Sequence, residues 1–334
     1  MVEKIRVGVY GASGYAGLDL VEILAKHSQV KLVFASSNTY ADQAVAGTDL
    51  HYIPSEAADM SAVDLVFLAL PHLTSAQFAR KAIDAGCRVI DLSADLRLKT
   101  AESYKQWYGH EHPHPELLPV PYGLPELHRD EIRGAKVVAA PGCYPTTTLL
   151  GLYPLLKIQA ISPDAPIIVD AKSGVSGAGR TPSDKTHFVE VFGNLSPYST
   201  GRKHRHVGEI EQEIMQLQEL NDPLIFTPHL LPVDRGLMAS IYVQLHYNIT
   251  SDKVYNLYQD TYFDEPLVTV LPSGEEATLH HVVRTNRCVI SVNPVGERYV
   301  HITSVTDNLR KGASGQAVQC MNLMYEWPET TALL

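Results

Sequence analysis

Ile5, Val7 and Val9 alternate with Arg6 and Gly8, the two-residue period of a strand. Glycines follow, and then apolar positions recur through residues 18–24 in a helical rhythm. The apolar runs 30–35 and 65–70 predict buried strands, as do the shorter runs 89–90 and 137–140. Residues 75–85 predict a helix, with Phe78, Ala82 and Ile83 on one face and Gly86 as its stop. Strands alternating with helices in this way give βαβ units and a mostly parallel, doubly wound α/β sheet.

Residues 99–133 read differently. Prolines at 113, 115, 119, 121 and 125, interleaved with His110, His112 and His114, predict an irregular excursion from the sheet. Beyond Cys143 the pattern becomes strand-rich: 167–169, 224–227, 239–245, 268–271, 282–283, 288–292 and 300–305 predict strands, several of them antiparallel neighbours joined by turns such as 294–297. Helices are expected at 208–220, 253–263 and 314–325. This is an α+β region, and nothing in the chain repeats or is of low complexity.

Composition narrows the classes of function. Across 334 residues, 27 Lys and Arg face 37 Asp and Glu, a net charge of -10. So acidic a chain argues against nucleic-acid and anionic-lipid partners, both of which need basic surface. No apolar run approaches the ~20 residues of a membrane span, and the first residues pass directly into strand pattern, so no signal peptide is expected. Cys87, Cys143, Cys288 and Cys320 lie far apart without metal-ligand spacing. They predict reduced thiols in the cytoplasm and no metal site.

Gly11-Ala12-Ser13-Gly14-Tyr15-Ala16-Gly17 follows the first strand and opens the first helix. Glycines there let backbone approach a diphosphate, whose charge the amides at the helix start satisfy. The spacing and context predict a dinucleotide site, with residues 1–145 as its domain, completed by a C-terminal helix at 312–334, and 146–311 as a catalytic and oligomerisation domain. About 20 residues past the glycines, where a carboxylate marks a preference for NAD, the chain has Ser36, Ser37 and Asn38. Hydroxyls and amides accept a 2′-phosphate that a carboxylate would repel, so NADP is expected.

Pro141-Gly142-Cys143-Tyr144-Pro145-Thr146 carries the chemistry. A strand turns on Pro-Gly, presents one cysteine and starts a helix at Pro145 or Thr146. A thiol at a helix N-terminus meets the positive end of the dipole and free amides, which favour thiolate. The other three cysteines sit in apolar stretches and read as inert. Residues 201–210, Gly-Arg-Lys-His-Arg-His-Val-Gly-Glu-Ile, place His204, His206 and three cations before a helix, where a histidine suits acid/base work and cations suit an anionic substrate. The polar loops 91–97 and 173–180 are further ligand-contact candidates.

Taken together, the strings 11–17, 70–72 (Leu70-Pro71-His72), 91–97, 122–126, 141–146, 173–180, 204–210, 307–309 and 311–313 resemble the N-acetyl-gamma-glutamyl-phosphate reductases of arginine biosynthesis, relatives of the aspartate-semialdehyde dehydrogenases. The similarity runs nearly end to end, and the strings at 141–146 and 204–210 are specific to that family. It implies a Rossmann-like domain plus a semialdehyde-dehydrogenase-like α+β domain, and NADPH-dependent reduction of an acyl phosphate to an aldehyde and inorganic phosphate. Cys143 would form a thioester, with His206 as acid/base and His204 as second choice. Gly11, Ser13, Gly14, Tyr15, Ala16, Gly17, Ser36, Ser37, Leu70, Pro71, His72, Ser173, Gly174 and Asn308 would hold the cofactor, with Asn308 near the nicotinamide. Ser93 and Arg97 would meet the phosphate, while Arg180, Arg202 and Lys203 are candidates for the rest of the substrate. A homodimer or homotetramer is implied. Two positions depart from the family pattern: Asn38 stands where an arginine is frequent, and Thr147 where a smaller residue is usual, which could shift the helix start. The competing readings are a relative acting on another acyl phosphate such as aspartyl phosphate, a non-catalytic NADP sensor indifferent to loss of Cys143, and a cysteine hydrolase for which the glycine loop is superfluous.

Overall fold

The alternating residues at the start of the chain become the middle of a sheet. The computed structural model describes residues 4–334 and divides them into two units: residues up to Gly142 together with Ala313–Leu334, and Cys143–Gly312. In the first unit the elements run β1 (Ile5–Tyr10), α1 (Tyr15–Lys26), β2 (Val30–Ser36), β3 (Tyr52–Ile53), β4 (Leu65–Leu68), α2 (Thr74–Asp84), β5 (Arg88–Asp91), α3 (Ala101–Tyr108), α4 (Pro125–Ile132) and β6 (Val137–Ala139). All strand pairs are parallel and the order is β3-β2-β1-β4-β5-β6. The chain winds one way from β1 to β3 and the other way from β4 to β6. The switch therefore falls between β1 and β4, where doubly wound sheets bind ligands at the carboxyl ends of their strands. Val7, Val9, Leu65, Val66, Phe67 and Leu68 are fully buried, as a sheet covered on both faces requires.

The stretch 99–133 departs from the irregular excursion that its prolines suggest. It holds α3, whose N-terminus Thr100 caps by accepting from Ser103 N and which ends at Gly109 (φ 75°), and α4, which starts on Pro125. Proline at a first helical position is a start signal, because the missing N–H is not needed there. Tyr104 and Tyr108 of α3 stack at 4.7 Å and bury this segment.

The second unit contains α5 (Cys143–Lys157), β7 (Ile168–Gly174), α6 (Phe188–Val191), β8 (Ser196–Pro197), α7 (His206–Leu217), β9 (Ile225–Leu231), β10 (Leu237–Gln244), α8 (Ser251–Tyr262), β11 (Val268–Val270), β12 (Cys288–Val295) and β13 (Tyr299–Thr306). Its mixed sheet has the order β11-β12-β13-β10-β7-β9-β8. The long ladders β12/β13, β13/β10 and β10/β7 are antiparallel, while β7/β9 is parallel. Leu237, Ala239, Ile241 and Val243 of β10 are buried on the face covered by α5, where Gly151 lies against Ile241, Ser304 and Ile302.

Three local outcomes differ from the sequence expectations. Val282 and Val283 form no strand; they follow a tight turn at Leu279–His281, and Val282 is buried among Ala277, Val289 and Val305. An apolar pair this short packs from a turn as well as from a ladder. Helix α7 spans His206–Leu217, earlier than 208–220, so His206 is its first residue. Helix α5 starts at Cys143 itself. Thr147 Oγ1 donates to Cys143 O at 2.9 Å and pairs with Thr306 Oγ1 at 2.7 Å, binding the first turn to β13.

After a wide turn at Arg310–Ser314, α9 (Gly315–Met324) belongs to the first unit. There Ser314 Oγ donates to Ala16 O, Gln316 Nε2 donates to Gly123 O, and Asn322 bonds His27.

Candidate active site

Between β1 and α1 the backbone leaves no room for side chains. Gly11 has φ +71°, and a Cβ there would lie 2.2 Å from Ala69 O; a Cβ on Gly17 would lie 2.3 Å from Gly11 O. Gly14 precedes α1 without a side-chain cap, and the first turn carries no acidic residue. The helix thus keeps its first amides and positive dipole end for an anion, which fits the diphosphate of a dinucleotide. Ser13 Oγ meets Ser37 Oγ at 2.7 Å, joining the loop to the end of β2. Ser36 is turned inward, bonded to Ser55 Oγ. Ala16 is half-buried and Tyr15 exposed.

Leu70, Pro71 and His72 follow β4 at the switch point. Leu70 packs on the core, Pro71 O accepts from Ser75 N, and the His72 ring stacks on His110 at 6.4 Å. Two buried carboxylates shape this corner. Asp95 accepts from Leu73 N, Ala76 N and Tyr104 OH. Asp91 accepts from Ser75 Oγ, Ser93 N and Ser93 Oγ, and burial pushes its pKa up despite those bonds. Ser93, also bonded from Asp95 N, is therefore 7% exposed and built into the loop. Arg97 donates to Leu92 O and Ala140 O, which fixes its guanidinium on the segment three residues before Cys143.

In the second unit, the thiol of Cys143 stands on the first residue of α5, half-buried. Gly312 lies directly against it: a Cβ on Gly312 would be 2.8 Å from Cys143 Cβ. The Gly312 turn is tied by its amide to Asp307 O, and Asp307 Oδ1 accepts from Leu309 N and Arg310 N.

Beside the cysteine lies an aromatic cluster. The ring of Tyr144 is 5.6 Å from His204, 6.0 Å from His206 and 5.3 Å from Phe226. The two histidine rings are 4.7 Å apart. Tyr198 OH donates to Tyr144 OH at 3.1 Å, and Tyr144 OH donates to His229 O. Burial raises the pKa of both phenols, Tyr198 to about 12, and the charge of Cys143 adds to the effect. Both are neutral hydrogen-bonding groups at neutral pH.

The histidines differ in what they are free to do. His204 Nδ1 accepts from His206 N at 3.2 Å, which puts the ring proton on Nε2. Burial, helped by the Arg205 charge, lowers its pKa to about 4. His204 is a neutral strut at the start of α7. His206, the first helical residue, is half-buried.

Ser173, Gly174 and Asn308 converge where β7 ends. Asn308 Oδ1 accepts from Gly236 N and Nδ2 donates to Ser176 Oγ, while Gly174 N donates to Gly236 O. Arg202 is turned onto Glu211 in a two-pronged pair at 2.6 and 2.8 Å. Lys203 and Arg180 are exposed. Sequence reasoning missed Tyr144, Tyr198, Phe226, Asp307 and Gly312 as parts of this site. Tyr144, Asp307 and Gly312 lie within the family-like segments 141–146, 307–309 and 311–313, but their residue types alone mark no chemistry.

A parallel nucleotide-type sheet followed by a cysteine-bearing α+β unit defines a semialdehyde dehydrogenase. Residues 6–135 match the semialdehyde dehydrogenase NAD binding domain and residues 143–308 the semialdehyde dehydrogenase dimerisation domain. The fold is that of aspartate semialdehyde dehydrogenase II from Vibrio cholerae (TM-score 0.76, 19% identity, 97% of this chain and 99% of that one). It is also that of the Candida albicans aspartate semialdehyde dehydrogenase solved with NADP (TM-score 0.70, 13% identity, 96% and 98%). Over full length the chain is 43% identical to the N-acetyl-gamma-glutamyl-phosphate reductases of Magnetococcus marinus (100% of this chain, 98% of the relative) and Moorella thermoacetica (98% of each). The chain belongs to the N-acetyl-gamma-glutamyl-phosphate reductase family. It is an oxidoreductase with a nicotinamide-nucleotide-binding domain. Among the described residues no helix is long and apolar enough to cross a membrane.

Proposed function

We propose that this chain reduces N-acetyl-L-glutamyl 5-phosphate to N-acetyl-L-glutamate 5-semialdehyde with NADPH, in the cytoplasm. The observation that carries the reading is the site around Cys143: a thiol on the first turn of α5, held against Gly312, with the next residue, Tyr144, ringed by His204 and His206. In the first step Cys143 gives its proton to His206 and attacks the acyl carbon. The carbon–oxygen bond to phosphate breaks, and His206 returns that proton to the departing phosphate. Arg97 meets the phosphate. A thioester on Cys143 remains. A nicotinamide held by the first unit would supply the hydride for the thioester carbon; with the carbon–sulfur bond broken, the aldehyde leaves and the Cys143 thiolate takes up a proton from solvent. Splitting the reduction in two replaces one difficult step with two easier ones.

The choice of His206 over His204 is supported by His204's bond to the His206 amide and its pKa of about 4, which leave it neutral and engaged. NADP over NAD is supported by the end of β2, where Ser37 bonds Ser13 and the chain has no carboxylate before Asp42. Self-association is supported by the sheet face opposite Ile241. Ile225, Ile168, Tyr242 and His301 are successive cross-strand neighbours there, and the first three are 44%, 38% and 46% exposed.

The test is phosphate-dependent NADP reduction, run in reverse with N-acetylglutamate semialdehyde and with aspartate semialdehyde, for wild type and Cys143→Ala. Turnover with the first aldehyde only, lost by about 10⁴-fold or more in the variant, is expected. Turnover with aspartate semialdehyde instead keeps the chemistry and discards the substrate. No turnover with either, in folded protein that binds NADP, removes the enzymatic reading.

A further inference from the structure

We propose that Asn286 reads the substrate, through one donated and one accepted hydrogen bond at the edge of its α-carbon. The inference deepens the reading just given and rests on it. Asn286 is 2% exposed, and neither its Nδ2 nor its Oδ1 has a hydrogen-bond partner among the described residues. An unsatisfied buried polar group costs about 1–3 kcal/mol, and native proteins keep few of them. A carboxamide with both ends unpaired suits a ligand that brings both partners.

The turn that carries Asn286 is held by Asp307, whose carbonyl and Cys143 both lie against Gly312. On α5, Gly151 lies against Ser304 and Ile302, and one turn earlier Thr147 bonds Thr306. The helix therefore climbs as β13 descends, and Cys143, one turn before Thr147, lies beyond the Thr306 end of that strand. On β12, Cys288 faces Thr306 and Ile290 faces Ser304. Asn286 lies in the bend two residues before β12 begins at Cys288, at the end of the sheet where Cys288 faces Thr306. Asn286 thus sits at the same end of the sheet as the Cys143 end of α5.

Its backbone is fixed. Arg284 N donates to Asp307 Oδ2 at 2.7 Å, Thr285 Oγ1 donates to Val282 O, and Arg287 N donates to Thr285 Oγ1. Asp307 also sets the turn that brings Gly312 onto Cys143. One carboxylate therefore positions the nucleophile's neighbour and the proposed reader together.

The donor–acceptor pair selects among ligand groups. A phosphate or a carboxylate offers acceptors alone and would leave Oδ1 unpaired. An N-acylated amino acid in extended form offers its amide N–H and a carboxylate oxygen side by side, the pattern one strand shows the next. Oδ1 accepts from that N–H and Nδ2 donates to that oxygen.

The test uses Asn286→Leu and Asn286→Asp in the reverse assay with N-acetylglutamate semialdehyde. The expected result for Asn286→Leu is a KM for the semialdehyde raised about ten- to a hundredfold. Its KM for NADP stays unchanged, and the ligand-free melting temperature is equal to or above wild type, because an unpaired polar pair has been replaced by an apolar group of similar size. Asn286→Asp keeps the acceptor but sets a carboxylate against the substrate's own, so its KM rises at least as far. An unchanged semialdehyde KM in Asn286→Leu, with or without a lowered melting temperature, overturns the proposal and leaves Asn286 a structural residue. A wild type inert toward the semialdehyde overturns the functional reading and this inference with it, an outcome visible before any variant is made.

Discussion

At the β1–α1 loop of the first unit, ligand-binding capacity resides in the backbone. Gly11 takes a left-handed conformation against Ala69 O, Gly17 packs on Gly11, and the amides that open α1 are left uncapped. Around Cys143 in the second unit, capacity resides in side chains drawn from scattered segments: Cys143 and Tyr144 on α5, Tyr198 after β8, His204 and His206 at the start of α7, and Phe226 on β9. A backbone site needs only a short run of small residues in the right local conformation. A side-chain site needs its tertiary fold complete before any two members meet. The contrast predicts that the loop tolerates changes in neighbouring side chains, while the cysteine site fails when one packing contact moves.

Gly312→Ala should break the second site most sharply. The added methyl would lie 2.8 Å from Cys143 Cβ, closer than real Cβ contacts come, and a tight 3.1 Å from Asp307 O. Either α5's first turn or the Asp307 turn must yield, and a displacement near 1 Å at a nucleophile costs about a hundredfold in rate. Turnover should fall by about that factor while NADPH affinity, measured by fluorescence titration, falls far less, since the diphosphate loop lies in the first unit. Unchanged turnover would show that the contact does not position the thiol.

His204→Phe tests the stability side of the same cluster. The pKa of His204 is lowered from 6.5 to about 4. Below 6.5 the unfolded chain takes up a proton that the folded chain refuses until about 4. The neutral ring's contribution is therefore fully present above pH 6.5 and is lost as pH falls toward 4. Between pH 7 and pH 5 this amounts to about 2 kcal/mol. Urea unfolding of wild type should lose that much more stability across the interval than His204→Phe. Equal losses in the two proteins would mean that His204 does not titrate with folding.

What the sequence shows follows the same contrast. The loop 11–17, the parallel order around β1 and the placing of Cys143 at a helix start are readable because each rests on a local signal: period, glycine spacing, a cysteine between Pro-Gly and a helix. The excursion at 99–133 misleads because proline marks both a helix start and a break, and only the packing of Tyr104 and Tyr108 decides. The start of α5 at Cys143, not Pro145, depends on Thr147 bonding Thr306, a residue 159 positions away. Arg202 looks like a substrate cation in the string Arg-Lys-His-Arg-His, yet it closes on Glu211 nine residues later. No local pattern distinguishes a charge that binds ligand from one that binds a neighbouring turn.

Asn38→Asp sharpens the first side of the comparison, with a smaller effect. Asn38 is exposed at the end of β2, and its Oδ1 accepts from Ser55 N at 2.8 Å. Aspartate has the same shape and keeps that acceptor, so the loop and the melting temperature should be retained. The change adds one negative charge where NAD-preferring sites carry a carboxylate. A 2′-phosphate is repelled by that charge, while a ribose hydroxyl donates a hydrogen bond to it. NADPH affinity should fall about tenfold, the effect of ~1.4 kcal/mol of repulsion at an exposed site, with NADH affinity unchanged or slightly improved. Parallel fluorescence titrations with the two nucleotides measure both. If NADPH affinity holds, the 2′-phosphate is not read at the end of β2. If it falls as expected, a single side chain beside a backbone-built loop sets which nucleotide is held, while the loop itself holds either.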